Sequence, residues 1–296
     1  NVQLGDLKEG NIRIKISYFA VITTDIFAKV STEEGTSGTH IACLGSQAVG
    51  HVTAVGPHEG RFKIGDRVAV GMYRLACGAC RECHKNRDDL CKKSEFTSNS
   101  NAGGYATYID ANSDWAYPVP ASIPEEDVPA LVSDGSAIYS ALKRHANPKD
   151  TVGIIGSKAA GQLALAYAKA MKYDTTVLGD AEDKQAIEAL GGNFSELAAN
   201  KSKYNVVLIC TTSIDSQLYN KALTSTKMGG RLVVVGHPIQ GDIRFGFFSF
   251  VGSTFFNYLR STGNDSKPRR KPQRDLSGIV LRCYSQYPST GETTPI

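Results

Sequence analysis

Four cysteines within fifteen residues constrain this chain more tightly than any other feature. They lie in the run ACGACRECHKNRDDLC as Cys77, Cys80, Cys83 and Cys91, with two, two and seven residues between them. That spacing lets four thiolates from one short lobe, 77–91, converge on a single ion. Zinc takes soft ligands in a tetrahedron, and a four-cysteine set leaves no open position, so such a site is structural rather than catalytic. The alternatives are disulfide pairing and chance clustering. Seven cysteines is an odd total and no apolar signal segment precedes them, which favours metal over disulfides and a cytoplasmic setting. The expectation is one structural zinc on these four residues, which by itself implies no chemistry.

At 296 residues the chain is long enough for two cores. A hydrophobic fraction of 41% and a charged fraction of 21% are those of a soluble globular protein, and no apolar run approaches membrane-spanning length. The net charge of +4 is local: from Lys267 onward there are six Lys/Arg against two Asp/Glu, and the residues before it carry 27 of each sign. This tail, with KPRRKPQR and little periodicity, reads as a solvated, disordered segment over 261–296 rather than a nucleic-acid patch.

The first half is β-rich. NIRIKISY alternates Ile12, Ile14, Ile16 and Tyr18 with polar residues, the period of a half-buried strand. AVGHVTAVG, RFKIGDRVAVG and GGYATYIDA add strands closed by glycine and proline turns, which suggests a small partly open barrel. Near Asp150 the texture changes. The apolar strand TVGIIG is followed by a helix, GQLALAYAKAMKY, whose spacing puts Leu163, Ala166, Tyr167 and Ala170 on one face. TTVLGD, a helix stopping at Gly191-Gly192, NVVLIC, a helix ending at Gly229-Gly230 and RLVVVG continue the alternation. The second half is therefore predicted to be a doubly wound α/β domain.

The turn after TVGIIG is GSKAAG. In a dinucleotide fold such a turn holds pyrophosphate at a helix N-terminus. Gly156 and Gly161 stand at the first and third glycine positions, and Lys158 at the second, where it either crowds the phosphates or binds them. Ser157, Ala159 and Ala160 complete the candidate cofactor loop, whose alternative is a plain strand–helix turn. Asp180, nineteen residues beyond Gly161, is placed to accept from ribose hydroxyls. With Glu182 and Asp183 against Lys184 alone, the loop favours NAD over NADP. A solvated acidic turn capping the next helix is the competing reading.

Together these motifs resemble the zinc-containing medium-chain dehydrogenase/reductase family, the alcohol dehydrogenase superfamily, and within it the cinnamyl-alcohol-dehydrogenase-like branch. The resemblance rests on GxxxVGHVTAVGP, RFKIGDRVAVG, the spaced cysteines, GGYATY and the glycine turn, from about Asn11 to about Ser253. It implies an α/β protein with a GroES-like β-rich catalytic domain over 1–140 and a Rossmann NAD(P)-binding domain over 141–260. Hydride transfer between alcohol and aldehyde would take place in a cleft between them. It also implies a homodimer through the Rossmann sheet edge. A second, catalytic zinc in the family sits on a cysteine after the first strand, a His-Glu pair and a later Cys or Asp. Here Ile22, Ser46, Gln47 and Ser133 stand there, so no catalytic zinc is expected, and Asp134 is the only anion beside them. Thr24 matches the family's proton-relay hydroxyl, and Ala137 replaces a threonine that packs on the nicotinamide. The chain starts inside the family's first domain and enters the basic tail where the family finishes its second, which is the pattern of a sequence incomplete at both ends. Two functions compete: a zinc-independent reductase of an aldehyde, enal or activated C=C, and an inactive relic with only its structural zinc. Binding to nucleic acid or membrane is not expected.

Overall fold

The computed structural model describes residues 5–22, 44–85, 87–99, 103–212 and 215–235. Thr24, Cys43 and the basic tail lie outside them. The chain divides into two compact units, the first ending at Ser133 and the second starting at Asp134.

The first unit carries an antiparallel sheet of five strands. These are β1 (Asn11–Phe19), β2 (Ala48–Val55), β3 (Arg67–Val70), β6 (Tyr108–Asn112) and β7 (Ala116–Pro118), in the order β6-β1-β2-β3-β7. A two-stranded ribbon, β4 (Tyr73–Leu75) with β5 (Glu95–Phe96), flanks the cysteine lobe. The alternation in β1 does what it predicts at first: Ile12 and Ile14 are buried against Val52, Val68, Val70 and Ile109. It fails at the far end. The β1–β2 register slips between Arg13 and Ile14 and again between Ile16 and Tyr18, and Tyr18 is exposed. An extra residue in one strand flips the faces beyond it, because the side-chain period is two. Phe19 stacks instead on Tyr105, at 4.8 Å between centroids. Arg13 forks onto Asp110 of the neighbouring strand with two 2.8 Å hydrogen bonds, so the charges on the other face pair across β1 and β6.

The second unit is a parallel sheet in the order β10-β9-β8-β11-β12, from β8 (Thr151–Ile155), β9 (Asp174–Gly179), β10 (Asn193–Glu196), β11 (Tyr204–Ile209) and β12 (Thr226–Val234). On one face lie α1 (Ser136–His145), α2 (Ala159–Ala170) and Ile187 of α3 (Lys184–Ala189), packed on Val152, Ile154, Val177, Val206 and Leu208. On the other, Tyr219, Ala222 and Leu223 of α4 (Ser216–Ser225) pack on Ile155, Leu178, Val207 and Ile209. Strands buried on both faces read as apolar runs, and that is what TVGII and NVVLI are. Among the described residues no helix is long and apolar enough to cross a membrane.

Three details depart from the pattern. The buried stripe of α2 is Gly161, Ala164, Leu165 and Ala168, whereas Leu163 and Tyr167 line its rim and Ala166 and Ala170 face out. An alanine-rich helix is apolar all round, so periodicity does not choose its face, and the smallest residues take the closest approach to the sheet. Next, α4 ends at Ser225 and β12 begins at Thr226, so Gly229-Gly230 lies inside a strand, at a slip in its register with β11, rather than ending a helix. Last, α1 packs into the second core through Ile138, Ala141 and Leu142, which puts the division between units at 133/134 rather than 140/141.

Leu208 is fully buried in the central strand β11. Leu208→Ala should cost roughly 2–5 kcal/mol of stability. The loss should be seen as an earlier thermal transition of the helical circular dichroism. The fluorescence of Trp115, the chain's single tryptophan and a residue of the first unit, should move less.

Candidate functional site

The cysteine lobe is built from two short 3-10 turns, Cys83–Lys85 and Asp88–Leu90. His84 N–H donates to the Cys80 carbonyl at 3.0 Å, and Cys91 N–H to that of Asp88 at 3.0 Å. These bonds turn all four thiols inward. Their sulfurs lie within 4.8 Å of one another, with Cys80–Cys83 and Cys77–Cys91 at 3.5 Å and Cys77–Cys83 at 4.0 Å. A tetrahedron of Zn–S bonds near 2.3 Å sets its sulfurs roughly 3.8 Å apart, so the quartet fits zinc. Sulfurs at these separations are not bonded to one another, and all four cysteines are free. The Cys77 thiol is drawn down to about 6, first by the Ala79 N–H and then by the Cys91 thiol and the Cys80 N–H, so the lobe already stabilises a thiolate. Burial, with hydrogen bonds to Asp88 and its neighbours, pushes Cys83 up. Lys93 N–H points at Cys91 Sγ from 3.4 Å, a further donor toward sulfur.

The glycine turn joins β8 to α2. Gly156 has φ +117, open to glycine at little cost, and a Cβ on Gly161 would overlap the Gly156 carbonyl. The helix start is thereby pressed against the strand end. No side chain caps α2, and the first N–H groups of a helix have no intrahelical partner, which makes this terminus a candidate anion site. Ser157 is buried, and its carbonyl accepts from Gln162 Nε2 at 2.9 Å. Ala159 and Ala160 form the first helical positions. Lys158 holds an ordinary extended backbone, φ −82 and ψ −169, and its side chain is 92% exposed, so the residue leaves the turn without strain. Its ammonium lies 3.9 Å from Asp183 Oδ1.

That pair brings the turn and the end of β9 together. Asp180 is exposed and leads the 3-10 turn Ala181–Asp183 without capping it through its side chain. Asp183 is the more enclosed carboxylate: its side chain is 20% exposed and folds back so that Oδ2 would sit 3.2 Å from a Cβ on Gly179. The sequence places Asp183 in the acidic loop but gives no signal that it, rather than Asp180, faces the turn. Lys184 pairs within its own helix with Glu188, at 3.9 Å, and not with the turn.

The remaining positions fall at the ends of strands in the first unit. Ser46 and Gln47 are fully buried just before β2, and Ile22 is half-buried after β1. Thr24 lies outside the described residues, so its relay role has no geometry. Asp134 sits in a π turn, Leu131–Gly135, and burial raises its carboxyl above the usual range.

Residues 8–121 match the alcohol dehydrogenase GroES-like domain. A probable cinnamyl alcohol dehydrogenase of Oryza sativa subsp. japonica is 30% identical over 214 residues, covering 66% of this chain and 60% of that protein. An alcohol dehydrogenase of Geobacillus stearothermophilus is 29% identical over 263 residues, covering 84% and 76%. Among solved structures, CAD from Helicobacter pylori, complexed with NADP(H), superposes with a TM-score of 0.74 at 26% identity, over 83% of this chain and 74% of that one. The chain spans 60% of the length of the rice relative. With the β-rich sheet, the parallel α/β sheet and the glycine turn in place, the chain belongs to the medium-chain dehydrogenase/reductase family of zinc-type alcohol dehydrogenases, on its cinnamyl-alcohol-dehydrogenase-like side.

Proposed function

We propose that this chain is an NAD(P)-dependent oxidoreductase that works without a catalytic zinc. It would reduce an aldehyde, an enal or an activated C=C by hydride transfer. The observation that carries this reading is a contrast between two sites. The α2 N-terminus has no side-chain cap and keeps its glycine-tight packing, whereas the positions where the family holds a second metal carry neutral Ser46 and Gln47. A hydroxyl and a carboxamide offer zinc neither thiolate nor imidazole. A nicotinamide cofactor, when bound, supplies the hydride. The protein's part is to hold the pyrophosphate on the N–H groups of 158–161. Asp180 and Asp183 would accept from the adenosine ribose, a charge that disfavours a 2′-phosphate and so favours NAD. Cys77, Cys80, Cys83 and Cys91 would hold one structural zinc that pins the lobe. The competing reading is an inert relic, and what favours it is that Lys158 replaces a glycine and already pairs with Asp183.

Titration calorimetry with NADH and with NADPH separates these readings. Micromolar NADH binding, weaker for NADPH, is expected; no heat from either, with folded protein, sinks the enzymatic reading. Since Lys158 leaves the turn unstrained, Lys158→Ala should weaken NADH about fivefold at low salt, with the difference fading in high salt. Tighter binding by the variant would instead mean that Lys158 crowds the phosphates.

Elemental analysis should find one zinc per chain, and Cys83→Ser should abolish it. Chelation should lower the melting temperature followed through Trp115, because a structural zinc's binding energy is folding energy. An unchanged transition after complete metal removal would refute the zinc assignment.

A further inference from the structure

Gln47 is a fully buried side chain whose Oε1 and Nε2 both lack a hydrogen-bond partner among the described residues. Buried polar groups are nearly always paired, because an unpaired one forfeits its hydration for nothing. Backbone movement offers no relief here. The Gly45 carbonyl accepts from Gly104 N–H at 2.7 Å, and the Leu44 carbonyl from Tyr105 N–H at 2.8 Å. The Tyr105 ring packs over Gly45, where any Cβ would overlap it. Tyr105 is itself fixed by its hydroxyl, which donates to the Ala20 carbonyl at 3.3 Å, and by its stacking on Phe19. Ala20 N–H donates to the Gln47 carbonyl at 3.2 Å, and Ala48 then enters β2 between Phe19 and Val70. The residue is bolted from both sides with its carboxamide unsatisfied.

A carboxamide presents a donor and an acceptor side by side. A hydroxyl answers both, since it accepts from Nε2 and donates to Oε1. An aldehyde or ether oxygen answers only the donor and leaves Oε1 orphaned. A cation answers only the acceptor, and weakly, because the amide is neutral. We infer that Gln47 binds the hydroxyl of an alcohol directly, as a substrate-recognition residue. This takes its ligand class from the oxidoreductase reading. The alcohol is then held more tightly than the aldehyde it interconverts with.

Ligand-observed NMR titrations of the full chain with benzyl alcohol, benzaldehyde and benzyl methyl ether test this. The alcohol should bind at least threefold more tightly than the other two. Gln47→Met should erase the preference while melting no lower than the wild type, since it removes two orphaned atoms. Gln47→Asn, which withdraws the amide by one methylene, should erase it too and serves if the Met variant does not fold. A preference that survives both variants, as expected if only a buried water pairs the amide, overturns the inference, as does a wild type that prefers no hydroxyl. NADH titrations run in parallel keep the two claims apart. NADH binding without hydroxyl preference sinks the role of Gln47 alone. Hydroxyl preference without NADH binding upholds Gln47 and sinks the cofactor reading.

Discussion

The burial of β8 and β11 on both faces is the constraint from which the rest of the second unit follows. Two cores, one against α1 and α2 and one against α4, meet at these strands, so neither can shift register without exposing an apolar face. Their carboxyl ends are therefore fixed in space, and the turn that leaves β8 inherits that rigidity. Gly156 N–H bonds back to the Leu178 carbonyl of β9 at 3.3 Å, and Cys210 N–H to the Ile155 carbonyl at 2.8 Å. The strand ends are stitched together at the level where the helix N-terminus begins. A phosphate site made of backbone N–H groups needs that stiffness, because it has no long side chain to adjust its aim.

The zinc lobe solves the opposite problem. Among the described residues of 77–91 there is no sheet and only two short turns, and too little apolar surface to hold a shape. Convergence of four sulfurs supplies what a core would. The downward pull on Cys77, from the Ala79 N–H first and then the Cys91 thiol and the Cys80 N–H, favours a thiolate there. A cross-link of this kind is local, which is why its spacing is so legible in the sequence: all four ligands come from one segment.

How much else was legible follows the same rule. The βα alternation of the second half, the cysteine quartet and the glycine turn each depend on neighbours in sequence, and each lies where the pattern puts it. What was not legible depends on contacts between distant segments. The slip at Ile16/Tyr18 arises from pairing β1 with β2, some thirty residues away in sequence, and nothing in ISYF announces it. The buried face of α2 is settled by how closely its small residues approach the sheet, and an alanine-rich helix looks alike from every side. That Asp183 rather than Asp180 turns toward Lys158 follows from a tight 3-10 turn and the bare Cα of Gly179, a geometry that three acidic residues within four positions do not encode.

Gln47 joins the two lines of argument. The family resemblance marks it as a position that a metal-binding relative would fill with a carboxylate, but only burial shows what the substitution costs. Had the site lost its metal and nothing more, an apolar residue would satisfy the first unit's core better. A polar side chain kept in full burial, with its backbone locked by Tyr105 and Ala20, makes sense where something polar meets it. A neutral donor–acceptor pair in place of an ion also changes the chemistry on offer. It can orient an oxygen, but it cannot lower a hydroxyl's pKa as a Lewis acid does. On the proposed reading, a carbonyl reduced here would have to be one already activated toward hydride, such as a conjugated aldehyde.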